Sequence, residues 1–128
     1  MKTTVLTVAA ALFGQVALAS KLYAASYGGS VYSLDFAKSN GSQQLSTVSE
    51  SKDCGTSPSW LMLDREHHVL YCLNEAIGAS NGSITSFKTH PNGSLTTVKR
   101  LTTPGSPVMS EFYSVSKTDN RDFFAVAH

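Results

Sequence analysis

The chain is short of charge and of the residues that mark metal, nucleotide and nucleic-acid sites. Only 15% of its 128 residues are charged, ten Lys and Arg against nine Asp and Glu, for a formal net charge of +1. No run of Lys or Arg occurs, so there is no electrostatic footprint for nucleic acid or for an anionic membrane. The one adjacent basic pair, Lys99-Arg100, reads as a solvated strand edge. Cysteine is nearly absent, and no Cys or carboxylate stands at ligand spacing around His67-His68. Those two histidines, adjacent on a strand edge, point in opposite directions and do not share an ion. Neither Ser57 nor Ser59 sits in a Gly-x-Ser-x-Gly elbow, which removes the motif-based case for a serine nucleophile. A Gly-rich phosphate loop ahead of a helix is missing as well.

Long apolar runs are missing too, with one instructive exception at the start. Lys2 precedes an apolar stretch from Val5 to Leu18, too short to span a bilayer, and Ala17-Leu18-Ala19 offers small residues for cleavage. Residues 1–19 are therefore expected to be a secretory signal peptide and 20–128 a secreted chain, extracellular and free of the membrane after cleavage. In an oxidising compartment Cys54 and Cys72 either close a disulfide, worth about 3 kcal/mol in the chain-entropy picture, or stay as two buried thiols. Asn40-Gly41-Ser42, Asn81-Gly82-Ser83 and Asn92-Gly93-Ser94 are at once glycan acceptors and turn signals, so Asn40, Asn81 and Asn92 are expected in turns.

What the chain does have is a repeat. Leu22-Tyr23-Ala24-Ala25-Ser26-Tyr27, Leu70-Tyr71-Cys72-Leu73-Asn74-Glu75 and Phe123-Phe124-Ala125-Val126-Ala127-His128 follow one pattern. The first two are each followed by a Gly-Ser step and a second apolar run, at Gly29-Ser30 and Gly82-Ser83, and then by an Asn-Gly-Ser turn and a further Leu. A period of about fifty residues built from short strands and turns predicts an all-β chain of propeller blades, each a four-stranded antiparallel meander.

The second copy supplies all four strands: Pro58 to Leu63, Val69 to Leu73, Ile84 to Phe87 and Leu95 to Leu101, with a charged turn over Asp64 to His68. The first copy begins at its second strand. The third opens at Pro107-Val108-Met109-Ser110, turns through Lys117 to Arg121 and reaches its second strand at Phe123 to Ala127. One full blade between two partial ones is the expected arrangement, an N-terminal portion of a larger ring whose remaining blades would be its neighbours. Strand alternation then places Ser57-Pro58-Ser59, Asn74 to Gly82, Gly105-Ser106-Pro107 and His128 around one end. Asp64 to His68, His90 and Arg121 fall at the other. Trp60, Met62, Tyr71 and Phe87 are expected to pack between blades.

Glu75 and His128 occupy equivalent repeat positions at the first of these ends. A carboxylate and an imidazole around one channel mouth have the chemistry of a general acid and base for ester or lactone substrates. They are the candidate catalytic residues.

Taken together, Pro58-Ser59-Trp60-Leu61, Leu70 to Glu75, Gly82 to Phe87, Gly93-Ser94-Leu95, Gly105 to Val108 and Ala125-Val126-Ala127-His128 resemble the lactonase family of seven-bladed propellers. That family includes bacterial-type 6-phosphogluconolactonase and fungal 3-carboxy-cis,cis-muconate cyclase, and the wording is closest to secreted fungal members. The resemblance implies a metal-independent enzyme without a cofactor, acting on a small-molecule lactone or sugar acid at the channel mouth. Glu75 matches the acid of the family's Tyr-x-x-Asn-Glu phrase, and His128 the polar residue of its Ala-Asn-Tyr or Ala-His-Tyr phrase. The family's arginines belong to later blades, so the 128 residues alone are expected to be inactive. A non-catalytic secreted binding propeller and a truncated degenerate copy are the competing readings.

Overall fold

The computed structural model describes residues 19–39, 41–114 and 122–128, and they form nine strands. The first sheet holds β1 (Ala19–Ser26), β2 (Ser30–Ser39) and β3 (Ser42–Ser51). The second holds β4 (Pro58–Asp64), β5 (Val69–Asn74), β6 (Asn81–Thr89) and β7 (Leu95–Pro104). The third pairs β8 (Met109–Ser114) with β9 (Asp122–Ala127). Every pairing within these sheets is antiparallel and every neighbour consecutive, so each sheet is a meander. The expected all-β architecture of one four-stranded blade between two partial ones is the one observed.

Period-2 alternation explains why the sheets stack. In β5, Leu70 and Cys72 face one side while Tyr71 faces the other, and both sides are covered. Leu70, Cys72 and Phe87 join Val31 and Cys54 in a buried cluster, with Tyr23, Leu61, Leu63 and Leu95 packed around it. That cluster welds the first sheet to the second. On the opposite side the Tyr71 ring meets Phe112 edge-on at 5.4 Å and Phe124 at 5.0 Å. Each fully buried large side chain contributes roughly 1.5–3 kcal/mol of apolar burial, which a lone sheet cannot collect. The outer strand β7 is instead mostly exposed, and Lys99, Arg100 and the closing Pro104 discourage further pairing there.

The connection from β3 to β4 acts as a strap across the second sheet. Cys54 is disulfide-bonded to Cys72. Asp53 accepts from Thr85 Oγ1 through its carbonyl and from Thr97 Oγ1 through its carboxylate, at 3.3 and 2.6 Å. Strand pairing uses the backbone of Cys72 and leaves its thiol free to point at the neighbouring sheet, so membership of a paired strand is no obstacle to the bond. A second tie lies at the other end, where Ser49 Oγ donates to the Gly93 carbonyl at 2.8 Å. Gly93 holds a φ of 85°, and a Cβ there would stand 2.9 Å from Val48 Cγ1, so the turn and the sheet contact both need glycine.

The strands run past the bounds read from sequence, to Asp64, Asn74, Thr89 and Pro104, and two strand starts differ in ways that bear on the site. Asn81-Gly82-Ser83 is expected in a turn, yet it opens β6, pairing with Pro104, Thr103 and Thr102. Glycine serves close approach here: a Cβ on Gly82 would stand 2.2 Å from Pro107 Cδ and 2.7 Å from the Asn74 carbonyl oxygen. The third sheet begins at Met109 rather than at Pro107, which is buried just ahead of the strand. Asn40, the Lys117 to Arg121 turn and residues 1–18 lie outside the described residues.

Candidate functional site

Glu75 is positioned by its buried neighbour. Asn74, 3% exposed, accepts through Oδ1 from the N–H groups of Ser57 at 2.9 Å and Ala76 at 3.3 Å, and donates from Nδ2 to Ser83 Oγ at 3.3 Å. The Glu75 N–H donates to the Ser57 carbonyl at 3.0 Å. Ala76 then takes a φ of 50°, a left-handed conformation that turns the chain sharply away from the strand. The backbone of Glu75 is thereby clamped on both sides while its side chain stays half-buried at the sheet's end.

The Glu75 carboxylate has a partner from the preceding sheet. Tyr27 Oη donates to Glu75 Oε2 at 2.9 Å. The hydrogen bond, followed by the charge of the carboxylate, holds the Tyr27 phenol above its ordinary range. Tyr27 follows β1, Glu75 follows β5 and His128 follows β9, so the three stand at one repeat position in three consecutive sheets. The aligned phrases point to Glu75 and His128, and the same aligned position in the first phrase is the sequence signal for Tyr27. Because the folded phenol ionises late, its contribution to the pair persists through neutral pH and is lost as pH rises through the raised value. Glu75→Gln is expected to bring Tyr27 ionisation to lower pH, read by NMR titration of its ring resonances. Coincident Tyr27 curves in both proteins would contradict the pairing.

Polar contacts recur on the same end with their chemistry reversed. Ser30 Oγ donates to Glu50 Oε1 at 2.6 Å in the first sheet, and Ser83 Oγ accepts from Arg100 Nε at 3.1 Å in the second. Glu50 pairs with Tyr32 and Arg100 with Thr85, so the two charged residues are repeat equivalents. A hydroxyl both donates and accepts, and this lets one serine position serve a carboxylate or a guanidinium. Arg100, read from sequence as solvated edge, therefore reaches into the Asn74–Ser83 network that holds Glu75.

His128 is exposed and lies beside Gly105: a Cβ on that glycine would stand 3.7 Å from His128 Nδ1. Gly105 in turn accepts from the Gly82 N–H at 2.8 Å, which ties His128 to the same end as Asn74 and Glu75. No hydrogen bond or ion pair links Glu75 to His128 among the described residues. Asn81 is exposed at the start of β6, and exposed Asn92 accepts through Oδ1 from the Ser94 N–H and hydroxyl in its turn.

At the far end, His67 donates its N–H to Asp64 Oδ1 at 3.0 Å and places Nδ1 2.8 Å from Asp64 Oδ2. The backbone bond from His67 is the largest influence keeping the Asp64 carboxyl below its usual range. Among the described residues no three His, Cys, Asp or Glu side chains gather as a metal site.

A family model described as "Lactonase, 7-bladed beta-propeller" matches residues 19–128. No curated protein and no solved structure matches the chain.

Proposed function

Since the chain belongs to the lactonase family of seven-bladed β-propellers, we propose that it contributes part of a site that opens, or in reverse closes, a small lactone. The family match across 19–128 carries this reading. Substrates of the right class are a sugar lactone such as 6-phosphogluconolactone or an unsaturated-acid lactone of the muconolactone type. In the opening direction Glu75 removes a proton from water as the oxygen attacks the lactone carbonyl carbon. The tetrahedral oxyanion collapses, the ring C–O bond breaks, and the departing alkoxide takes a proton from His128, giving the hydroxy acid. Tyr27 keeps the carboxylate oriented, and Arg100 lies near enough to the same network to attract an anionic substrate.

Nine described strands are fewer than half of what seven four-stranded blades require, so the full activity belongs to a closed ring with further blades beside these. Secretion is part of the same proposal. It rests on the apolar 5–18 stretch, the paired Cys54 and Cys72, and exposed Asn81 and Asn92 as acceptors for glycans.

Lactone opening by the intact protein, followed by acid release in a pH-stat, tests the reading. Glu75→Gln and His128→Asn are each expected to lower kcat by about 100-fold or more, the lower end of what general acid–base groups supply. Unchanged rates in both variants would remove these residues from the chemistry.

A further inference from the structure

We infer that the cleft between the first and second sheets, at the end opposite Glu75, is a binding site for an anionic ligand of sugar size. The cleft measures about 710 Å3 and is bounded by the start of β1, the end of β4 with its turn, and the end of β6. That volume lies in the range small-molecule sites occupy. Three cationic side chains from three different elements line it: Lys21 of β1, Arg65 of the β4–β5 turn and Lys88 of β6.

Their local balance decides the sign of the site. Lys21 is paired with Asp35, so it adds little net charge. Asp64, the one carboxylate on the wall, is engaged by His67. Arg65 is exposed and has no hydrogen bond or ion pair among the described residues, and Lys88 Nζ donates only to the neutral carbonyl of His67 at 3.1 Å. Against the single carboxylate of Asp64, Arg65 and Lys88 leave the lining one net positive charge, and neither cation is itself held in an ion pair among the described residues. His68 and His90 stand on the same lining, His90 with its Nε2 3.0 Å from Thr96 Oγ1. Tyr23, Leu63 and Pro91 offer the flat apolar contact on which a sugar body rests.

The wall is also preorganised. His68 holds a φ of 56°, and its carbonyl accepts from the Thr89 N–H at 2.9 Å and from Thr89 Oγ1 at 3.2 Å. The β4–β5 turn is thus stapled to the end of β6, and the Lys88 bond to His67 adds a second staple. The backbone that carries Arg65 and Lys88 is thus a fixed frame, and the ordering cost of binding falls on the Arg65 side chain. A phosphate or a carboxylate both satisfy this chemistry, the guanidinium taking either in a two-pronged geometry.

Binding of glucuronate, inorganic phosphate and glucose to the full chain, measured by calorimetry and located by amide NMR shifts, tests the site. Glucuronate is expected to shift the amides of Arg65, His68, Lys88 and His90, with glucose at least tenfold weaker. Phosphate binding as well would identify the anion alone as the recognised group; glucuronate without phosphate would show that the sugar body is also required. Arg65→Ala and Lys88→Gln are each expected to weaken glucuronate about tenfold, while Lys99→Gln on exposed β7 and Glu75→Gln leave it unchanged. Arg65 has no partner to lose, so its variant keeps the fold even where Lys88→Gln loosens the turn. Equal weakening by Lys99→Gln, glucose as tight as glucuronate, shifts centred on Asn74 to Ala76, or no binding of either anion would overturn the proposal.

Discussion

Replacing Cys54 and Cys72 together by alanine is expected to lower stability by about 3 kcal/mol. The two residues stand 18 apart in sequence, so their bond closes a short loop, and releasing it returns that much chain entropy to the unfolded state. Both are fully buried between the first two sheets, beside Val31, Leu70 and Phe87, so loss of the sulfur atoms also loosens the cluster that joins the blades. For a chain of this size the cost corresponds to a fall in Tm of roughly 10–15 °C. Thermal melts followed by circular dichroism, with the native protein run with and without reductant, measure it. Reductant should shift the native protein most of the way to the alanine variant and leave the variant itself unmoved. A loss below about 1 kcal/mol would mean that the strap is held by Asp53 and Ser57 without help from the bond.

Asn74→Ala should cost a comparable amount for a different reason. Its Oδ1 satisfies two backbone donors, Ser57 N–H and Ala76 N–H, in a place water does not reach, and stranding them costs about 1–3 kcal/mol apiece. The turn after Glu75 depends on one of those bonds, so the same substitution should free the Glu75 backbone and break the Tyr27 contact. Denaturant unfolding gives the energy, about 3 kcal/mol or more, and the Tyr27 ring resonance reports the lost contact in the same sample. Asn74→Asp keeps the two acceptor interactions and gives up donation to Ser83 Oγ. It is expected to retain the Tyr27 contact that alanine loses. Equal damage from both would show that the donated bond, rather than the accepted ones, holds the turn.

Much of the blade arrangement is legible in the residues because the repeat carries it. Leu70-Tyr71-Cys72-Leu73 fixes which side chains face each neighbour, and the meander then assigns Ser57, Glu75 and His128 to one end and Asp64 to His68 to the other. Contacts that depend on pieces distant in the chain are less visible. Asn81-Gly82 has the chemistry of a turn, and only the arrival of Pro107 and Gly105 against Gly82 shows why a strand begins there. Lys99-Arg100 has the composition of a solvated edge; the Arg100 bond to Ser83 appears once the β6–β7 register aligns Thr85 with Arg100. The cleft lined by Lys21, Arg65 and Lys88 has no sequence signature at all, since its three cations lie far apart in the chain and meet through sheet stacking. Tyr27 is the intermediate case. Its repeat position is legible in the aligned phrases, while its role depends on the carboxylate that the next sheet brings to it.

We propose Glu75, clamped by Asn74 and oriented by Tyr27, as the base of a lactone-opening site. The most direct measurement is the initial rate of lactone opening by the intact protein and by Glu75→Gln at neutral pH, with equal thermal stability of the two verified first. A fall in kcat of about 100-fold with KM little changed is the predicted result. A Glu75→Gln protein that stays folded and opens the lactone within twofold of the native rate would contradict it.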